Sequence, residues 1–141
     1  MTHQPLILVV EDNQIQQRVV EMFSAKCGYK CRMVSCWPEL ASLLVVEPLE
    51  SFALVLMDWH LRTGTTGLEC THQLRLMEEA CDGARIPILG MTASAMDGDR
   101  EECLAAGMDD VLTKPFTFRE FKATVDSWIG PSSDFAVPTS A

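Results

Sequence analysis

Five polar side chains follow short apolar runs of this sequence, and their types suit phosphoryl-transfer chemistry. They are Glu11 and Asp12 after LILVV, Asp58 after FALVLM, Thr92 after IPILGM, and Lys114 after DVLT. Crowded carboxylates repel one another unless a cation lies among them, and an oxygen-only ligand set suits Mg²⁺. A metal ion and an ammonium neutralise phosphoryl oxygens, a hydroxyl donates to a third oxygen, and a free carboxylate attacks phosphorus in line. Asp58, which has no acidic neighbour in the sequence, is the expected nucleophile.

Each of these residues also has an ordinary structural interpretation. Asp12 could cap a helix, Asp58 could begin a polar loop, Thr92 could end a strand, and Lys114 could be solvated. Considered one at a time, the structural interpretation is the more common one. Only their occurrence after successive apolar runs favours a shared site.

Apolar runs and helical patterns alternate about five times along the chain, without an internal repeat or a linker. The runs are short enough for strands buried on both faces. The alternation predicts a doubly wound α/β domain, with a five-stranded parallel sheet and helices on both faces. In such a sheet, ligands bind at the carboxyl ends of the strands. The polar residues are therefore expected at one edge of the sheet.

The sequence also indicates where two helices begin and which face of the first helix is apolar. Asn13 with Gln16, and Thr66 with Glu69, resemble capping boxes at two helix starts. Helical spacing predicts that the first helix buries a stripe of apolar residues: Ile15, Val19, Met22 and Phe23.

Composition and charge narrow the class of protein. The chain has 141 residues, of which 48% are hydrophobic and 22% charged, as is typical of one globular domain. Its net charge of −9 argues against nucleic-acid binding. No apolar stretch reaches the roughly 20 residues that span a bilayer, and residues 1–5 do not resemble a signal peptide, so we expect a cytoplasmic protein without membrane contact. The six cysteines form no C-x-x-C pair and are interpreted as reduced core thiols.

Four segments together resemble the receiver domains of two-component response regulators, in order and with the expected spacing. They are VVEDN (9–13), LVLMD (54–58), MTASAM (91–96) and DDVLTKPF (109–116). The resemblance is strongest to receivers attached to hybrid histidine kinases, so the chain is interpreted as a stand-alone or an excised receiver. It implies the flavodoxin-like strand order 2-1-3-4-5, a receiver domain over residues 1–130 and a flexible C-terminal tail over residues 131–141.

The resemblance also implies a function in a phosphorelay. Asp58 would take a phosphoryl group from the phosphohistidine of a histidine kinase or a histidine phosphotransfer protein, and a conformational switch would follow. Asp12, Asp58 and the backbone carbonyl of His60 would bind Mg²⁺, with Glu11 assisting through water. The domain would be no enzyme in the ordinary sense, because it would catalyse only its own phosphorylation and dephosphorylation. We expect a monomer or a weak dimer.

Two further residues are implied to contact the aspartyl phosphate, namely Thr92, as a switch residue, and Lys114. The resemblance also implies a cis peptide bond between Lys114 and Pro115. The aromatic partner of the usual switch is replaced by Val111, three residues before the lysine. We therefore hypothesise weaker coupling between phosphorylation and the face formed by the fourth helix, fifth strand and fifth helix. The alternative is that the β-branched side chain simply packs the strand.

The loops around the site also depart from the family pattern. Arg62 stands where a proline is usual, and it would contact the phosphoryl group or a partner, or would simply be solvated. His60 and Ser94 each lie two residues after an expected site residue, Asp58 and Thr92. We expect them to modulate the lifetime of the phosphorylated state. The alternative is that both side chains are merely exposed.

Two rival functions remain open from the sequence. One is a degenerate receiver that binds partners without being phosphorylated, although the complete set Asp12, Asp58, Thr92 and Lys114 argues against it. The other is a small-molecule phosphatase that works through an aspartyl intermediate. Such enzymes commonly place a second acid two residues after the nucleophile, where this chain has His60.

Overall fold

The computed structural model describes residues 4–61, 64–81, 83, 85–93 and 97–129, without the side chains of residues 97–99. Strands and helices alternate along these residues. The strands are β1 (Leu6–Val10), β2 (Lys30–Val34), β3 (Leu54–Asp58), β4 (Ile88–Thr92) and β5 (Asp110–Thr113). The helices are α1 (Gln14–Cys27), α2 (Trp37–Val46), α3 (Gly67–Ala80), α4 (Asp97–Ala105) and α5 (Phe118–Ile129), and a short 3-10 turn covers Leu49–Ser51.

The strands form one parallel sheet in the order β2-β1-β3-β4-β5, which confirms the predicted fold and strand order. Every residue of β3 and β4 is buried because helices cover both faces of the sheet. Alternate residues of β1 enter different cores. Leu8 and Val10 pack in the core that includes Leu40 of α2, whereas Ile7 and Val9 pack in the core that includes Phe121 of α5.

The predicted buried stripe of α1 is wrong at two of its four positions. Ile15 is 76% exposed and Met22 is 59% exposed. The fully buried residues of α1 are Val20 and Ser24, with Phe23 packed beside them. At about 100° per residue, Ile15 and Met22 lie more than a third of a turn away from Val20 and Ser24. Because Ser24 is buried but polar, the spacing of apolar residues alone predicts a buried face that lies too far around the helix.

The predicted capping box at Thr66 is confirmed, whereas the one at Asn13 is present only in its side-chain half, because the Asn13 N–H donates to the Glu11 carboxylate. The Asn13 side chain accepts a hydrogen bond from the Gln16 N–H at 2.9 Å and so caps α1. Thr66 and Glu69 form a reciprocal capping box at the start of α3, with bonds of 3.2 and 2.9 Å. Gly28 ends α1 in the left-handed region at φ 90°, which a residue with a side chain rarely adopts.

The cysteines are free, as predicted, but they are not all core residues. Cys70 and Cys103 are buried, whereas Cys81 is exposed. Burial raises the pKa of the Cys70 thiol to about 11, so this thiol stays protonated near neutral pH.

Among the described residues, we find no helix that is both long and apolar enough to cross a membrane.

Arg75 of α3 ties the helix to the amino-terminal ends of β4 and β5. Its guanidinium donates to the carbonyl oxygens of Gly107 and Ile86 at 2.9 and 2.8 Å, and to the carboxylates of Asp109 and Glu78 at 2.7 and 2.9 Å. The Arg75 side chain is only 11% exposed. This network lies at the edge of the sheet opposite the predicted site, and it fixes the starts of two strands whose ends carry site residues.

We predict that Arg75→Met lowers the free energy of unfolding by about 3–5 kcal/mol, because it leaves the largely buried Glu78 carboxylate without its cation and leaves Asp109 paired only with the exposed Arg85. Arg32→Met is the matched control. Arg32 is 45% exposed and pairs with Glu47, so its loss should cost no more than about 1 kcal/mol. Urea unfolding of both variants measures the difference, and equal losses would contradict the structural role of Arg75.

Candidate functional site

Three carboxylates meet at the carboxyl ends of β1 and β3. Val10 is level with Met57 in the sheet, so Glu11 and Asp58, the next residues on each strand, come to the same height. One carboxylate oxygen from each of Glu11, Asp12 and Asp58 lies within 4.8 Å of the others. Glu11 is fully buried, Asp58 is 5% exposed, and Asp12 is half-buried. The predicted acidic site is therefore assembled in the fold.

Lys114 brings a positive charge to these acids from the end of β5. Its backbone N–H donates to the Thr92 carbonyl at 2.7 Å, which fixes the start of the loop after β5. Its Nζ lies 2.9 Å from Glu11 Oε1 and 3.4 Å from Asp58 Oδ1. The peptide bond between Lys114 and Pro115 is cis, as predicted.

The charges of the site do not balance. Burial holds the pKa of the Glu11 carboxyl above its ordinary value, and the hydrogen bond from Lys114 opposes this shift. With all three acids ionised, three negative charges face the one ammonium of Lys114, which leaves two negative charges in excess. An oxygen-only cluster of this charge and spacing fits a hard divalent cation such as Mg²⁺.

Asp58 is held by the chain that follows it. The Trp59 N–H donates to the Met91 carbonyl at 2.9 Å, so the pairing of β3 with β4 extends one residue past Asp58. The His60 N–H donates to Asp58 Oδ1 at 3.2 Å. The exposed His60 ring stacks on the buried Trp59 ring, with centroids 5.2 Å apart. The backbone of His60 thus lies beside the Asp58 carboxylate, while its side chain lies against Trp59.

The remaining predicted site residues lie in different environments, and some of them lie outside the described residues. Thr92 is 1% exposed and ends β4 one residue beyond Met91, the partner of Asp58 in the sheet. Val111 is half-buried and packs against the core shared by α2 and α3. Arg62, Ser94 and the predicted tail over residues 131–141 lie outside the described residues. The functional roles given to all of these residues remain predictions.

Gly67 is a further residue of the site that the sequence patterns do not single out. A Cβ atom on Gly67 would lie 2.0 Å from the backbone oxygen of Asp58, and its N–H donates to the Trp59 carbonyl at 3.2 Å. The first residue of α3 therefore touches the end of β3 directly, and only glycine fits there. The available signal is a glycine immediately after the capping residue Thr66, in the segment that follows Asp58.

The chain matches a protein family described as the response regulator receiver domain over residues 7–126. This chain belongs to the response regulator receiver family. A receiver domain of the Pseudomonas aeruginosa sensor histidine kinase PA1611 has a similar structure, with a TM-score of 0.74 and 35% sequence identity over 91% of this chain and 99% of that one. That solved structure carries a magnesium ion in its active-site cleft.

Curated relatives of this receiver are mostly far longer proteins. The chain is 34% identical to probable histidine kinase 4 of rice over 89% of its own length, and 32% identical to the sensor histidine kinase GacS of Pseudomonas protegens over the same share. It spans only 14% and 13% of those two proteins. The resemblance to receivers of hybrid histidine kinases is therefore confirmed for this domain alone.

We predict that Asp12→Asn stabilises the metal-free receiver by about 1 kcal/mol, because it removes one of three mutually repelling charges. The midpoint of thermal unfolding should rise by about 2–4 °C in EDTA. Added Mg²⁺ should raise the midpoint of the wild type by mass action and that of the variant much less. Glu101→Gln, which removes the same charge from an exposed position on α4, is the control. An unchanged response to Mg²⁺ in Asp12→Asn would contradict the metal site.

Proposed function

We propose that this receiver accepts a phosphoryl group on Asp58 from a phosphohistidine donor, in a step that requires Mg²⁺. The observation that carries the proposal is the meeting of Glu11, Asp12 and Asp58 within 4.8 Å, with the Lys114 ammonium 2.9 and 3.4 Å from two of them. Glu11 and Asp58 are buried close together, and their mutual repulsion lowers the stability of the folded protein. This loss of stability is explained if the acids hold a cation and one of them reacts.

The oxygen atoms available at the site are suitable ligands for Mg²⁺. Asp12 and Asp58 would hold Mg²⁺ directly, together with the backbone carbonyl of His60, and Glu11 would assist through water. The bound ion would neutralise phosphoryl oxygens and the excess negative charge of the acids. The magnesium ion in the PA1611 receiver, which is 35% identical, supports this assignment.

Phosphoryl transfer then proceeds by in-line displacement at phosphorus. An Asp58 carboxylate oxygen attacks the phosphorus atom, a P–O bond forms, and the P–N bond to the donor histidine breaks. The imidazole nitrogen leaves with the electron pair of that bond and takes a proton from solvent. The product is an aspartyl phosphate, which water hydrolyses to restore the carboxylate. The receiver in this way catalyses only its own phosphorylation and dephosphorylation.

Lys114 and Thr92 would link the aspartyl phosphate to a conformational switch. The Lys114 ammonium already lies 3.4 Å from Asp58 Oδ1, so it can donate to a phosphoryl oxygen on that carboxylate. The Thr92 hydroxyl would donate to another. A shift of the population from 1:99 to 99:1 needs about 5.5 kcal/mol of differential stabilisation, which a dianion in a partly desolvated site can supply. With Val111 in place of an aromatic residue, the coupling to β5 and its flanking helices would be weaker.

We predict that acetyl phosphate with Mg²⁺ adds the mass of one phosphoryl group to the wild type and none to Asp58→Asn. Intact-mass spectrometry makes the measurement, and EDTA should abolish the gain in the wild type. A wild type that gains no mass would support the degenerate receiver instead. Steady turnover of p-nitrophenyl phosphate would support the small-molecule phosphatase, and a gain of mass in Asp58→Asn would contradict the assigned nucleophile.

The donor is proposed to be a histidine kinase or a histidine phosphotransfer protein that docks on the exposed side of α1. A receiver of similar fold, that of yeast Ssk1, has been solved in complex with the phosphotransfer protein Ypd1. In this chain, Ile15 is 76% exposed and lies three residues after Asp12, one residue into α1. An apolar side chain at that place suits a partner that must bring its phosphohistidine to Asp58.

We predict that Ile15→Glu slows phosphoryl transfer from phosphorylated Ypd1 at least tenfold, because a charge would be buried in the docked complex. The rate with acetyl phosphate, which needs no docking surface, should not change. Val46→Glu is the matched control, since Val46 is 78% exposed on α2. Radiolabelled transfer assays measure the rates, and equal effects of the two variants would contradict docking on α1.

A further inference from the structure

Gln17 of α1 makes two side-chain hydrogen bonds beneath the acidic site. Its Nε2 donates to the backbone carbonyl oxygen of Glu11 at 2.6 Å and to the Ser35 hydroxyl at 3.3 Å. Ser35 lies in the loop between β2 and α2, where its N–H donates to the Glu39 carboxylate at 2.7 Å. The Gln17 amide therefore connects the first loop of the site to a second loop that is itself held by α2.

The carbonyl that Gln17 holds belongs to the peptide group between Glu11 and Asp12. Since that peptide group is planar, the direction of its carbonyl fixes the direction in which Asp12 leaves the end of β1. Other contacts hold different parts of Glu11. Its N–H donates to the Val34 carbonyl at 2.9 Å, and its carboxylate accepts from the Asn13 N–H at 3.1 Å and from Lys114. The Gln17 bond acts directly on the peptide group that joins the two adjacent acids.

We propose that Gln17 is a positioning residue for the divalent cation, an inference that rests on the proposed function. By holding the Glu11–Asp12 peptide group in one orientation, it keeps the two carboxylates aimed at a single ion. A neutral amide suits this position, because it donates a hydrogen bond without bringing a second positive charge that would compete with the metal. A carboxylate there would instead repel the carbonyl oxygen. Hydrogen bonds that orient metal ligands commonly contribute to metal affinity.

Gln17→Met tests the proposal, since methionine matches glutamine in length and helix propensity but lacks the donor. We expect the dissociation constant for Mn²⁺, measured by electron paramagnetic resonance of the free ion, to rise about three- to tenfold. In phosphorylation by acetyl phosphate, the half-saturating Mg²⁺ concentration should rise by the same factor, while the rate at saturating Mg²⁺ should stay unchanged. Gln14→Met, at an exposed position on the same helix, is the control and should leave both constants unchanged.

Ser35→Ala provides a second variant. It removes the weaker acceptor of the Gln17 amide, so it should weaken Mn²⁺ binding less than Gln17→Met does and should add nothing in the Gln17→Met background. Additive effects of the two substitutions would overturn the proposed connection. Thermal unfolding of each variant in EDTA separates positioning from folding, because a loss of stability with unchanged Mn²⁺ affinity would assign Gln17 a purely structural role.

Failure of this inference is distinguishable from failure of the proposed function. A wild-type protein that neither binds Mn²⁺ nor gains a phosphoryl group would overturn both. A wild type that does both, beside a Gln17→Met variant with wild-type affinity for Mn²⁺, would overturn only the role of Gln17.

Discussion

The repulsion among three carboxylates at one edge of a buried sheet is the constraint on which this receiver depends. The fold places Glu11 and Asp58 at the same height on adjacent strands, and the chain adds Asp12 immediately afterwards. Lys114 offsets part of the repulsion, because its ammonium contacts two of the acids. The remaining negative charge favours the binding of a divalent cation among the same side chains.

Such a site needs a rigid frame, and the frame is built from contacts on both edges of the sheet. At the site edge, Gly67 brings the start of α3 against the backbone oxygen of Asp58, where no side chain would fit. At the opposite edge, Arg75 joins α3 to the segments that begin β4 and β5 through two carbonyl oxygens and the Asp109 carboxylate. β3 and β4 are buried along their whole length and β1 along all but its first residue, so the acids are attached to the most tightly packed part of the sheet.

Hydrogen bonds join the two helices that flank β5. Asp110 accepts hydrogen bonds from Arg100 of α4 at 3.3 Å and from Trp128 of α5 at 2.9 Å, so one carboxylate joins the two helices that flank β5. Val111, the next residue, packs inward against apolar side chains. If phosphorylation moves α4 or α5 relative to β5, the hydrogen bonds from Arg100 and Trp128 to Asp110 must either move with the helices or break. These bonds therefore affect how strongly phosphorylation would be coupled to this face in a chain with Val111.

The sequence by itself determined the parallel sheet and singled out the acids and the lysine, because short apolar runs that end in polar residues leave few alternatives in an α/β domain. The strand order followed from the resemblance to receiver domains. The sequence misplaced the buried face of α1, since Ser24 is buried without being apolar while Ile15 and Met22 are apolar without being buried. Only the tertiary structure decided that Lys114 pairs with Glu11 more closely than with Asp58, that Gly67 touches Asp58, and that Gln17 holds the Glu11 carbonyl. These contacts join residues of different elements, and their geometry depends on how helices pack on the sheet, which local sequence patterns do not encode.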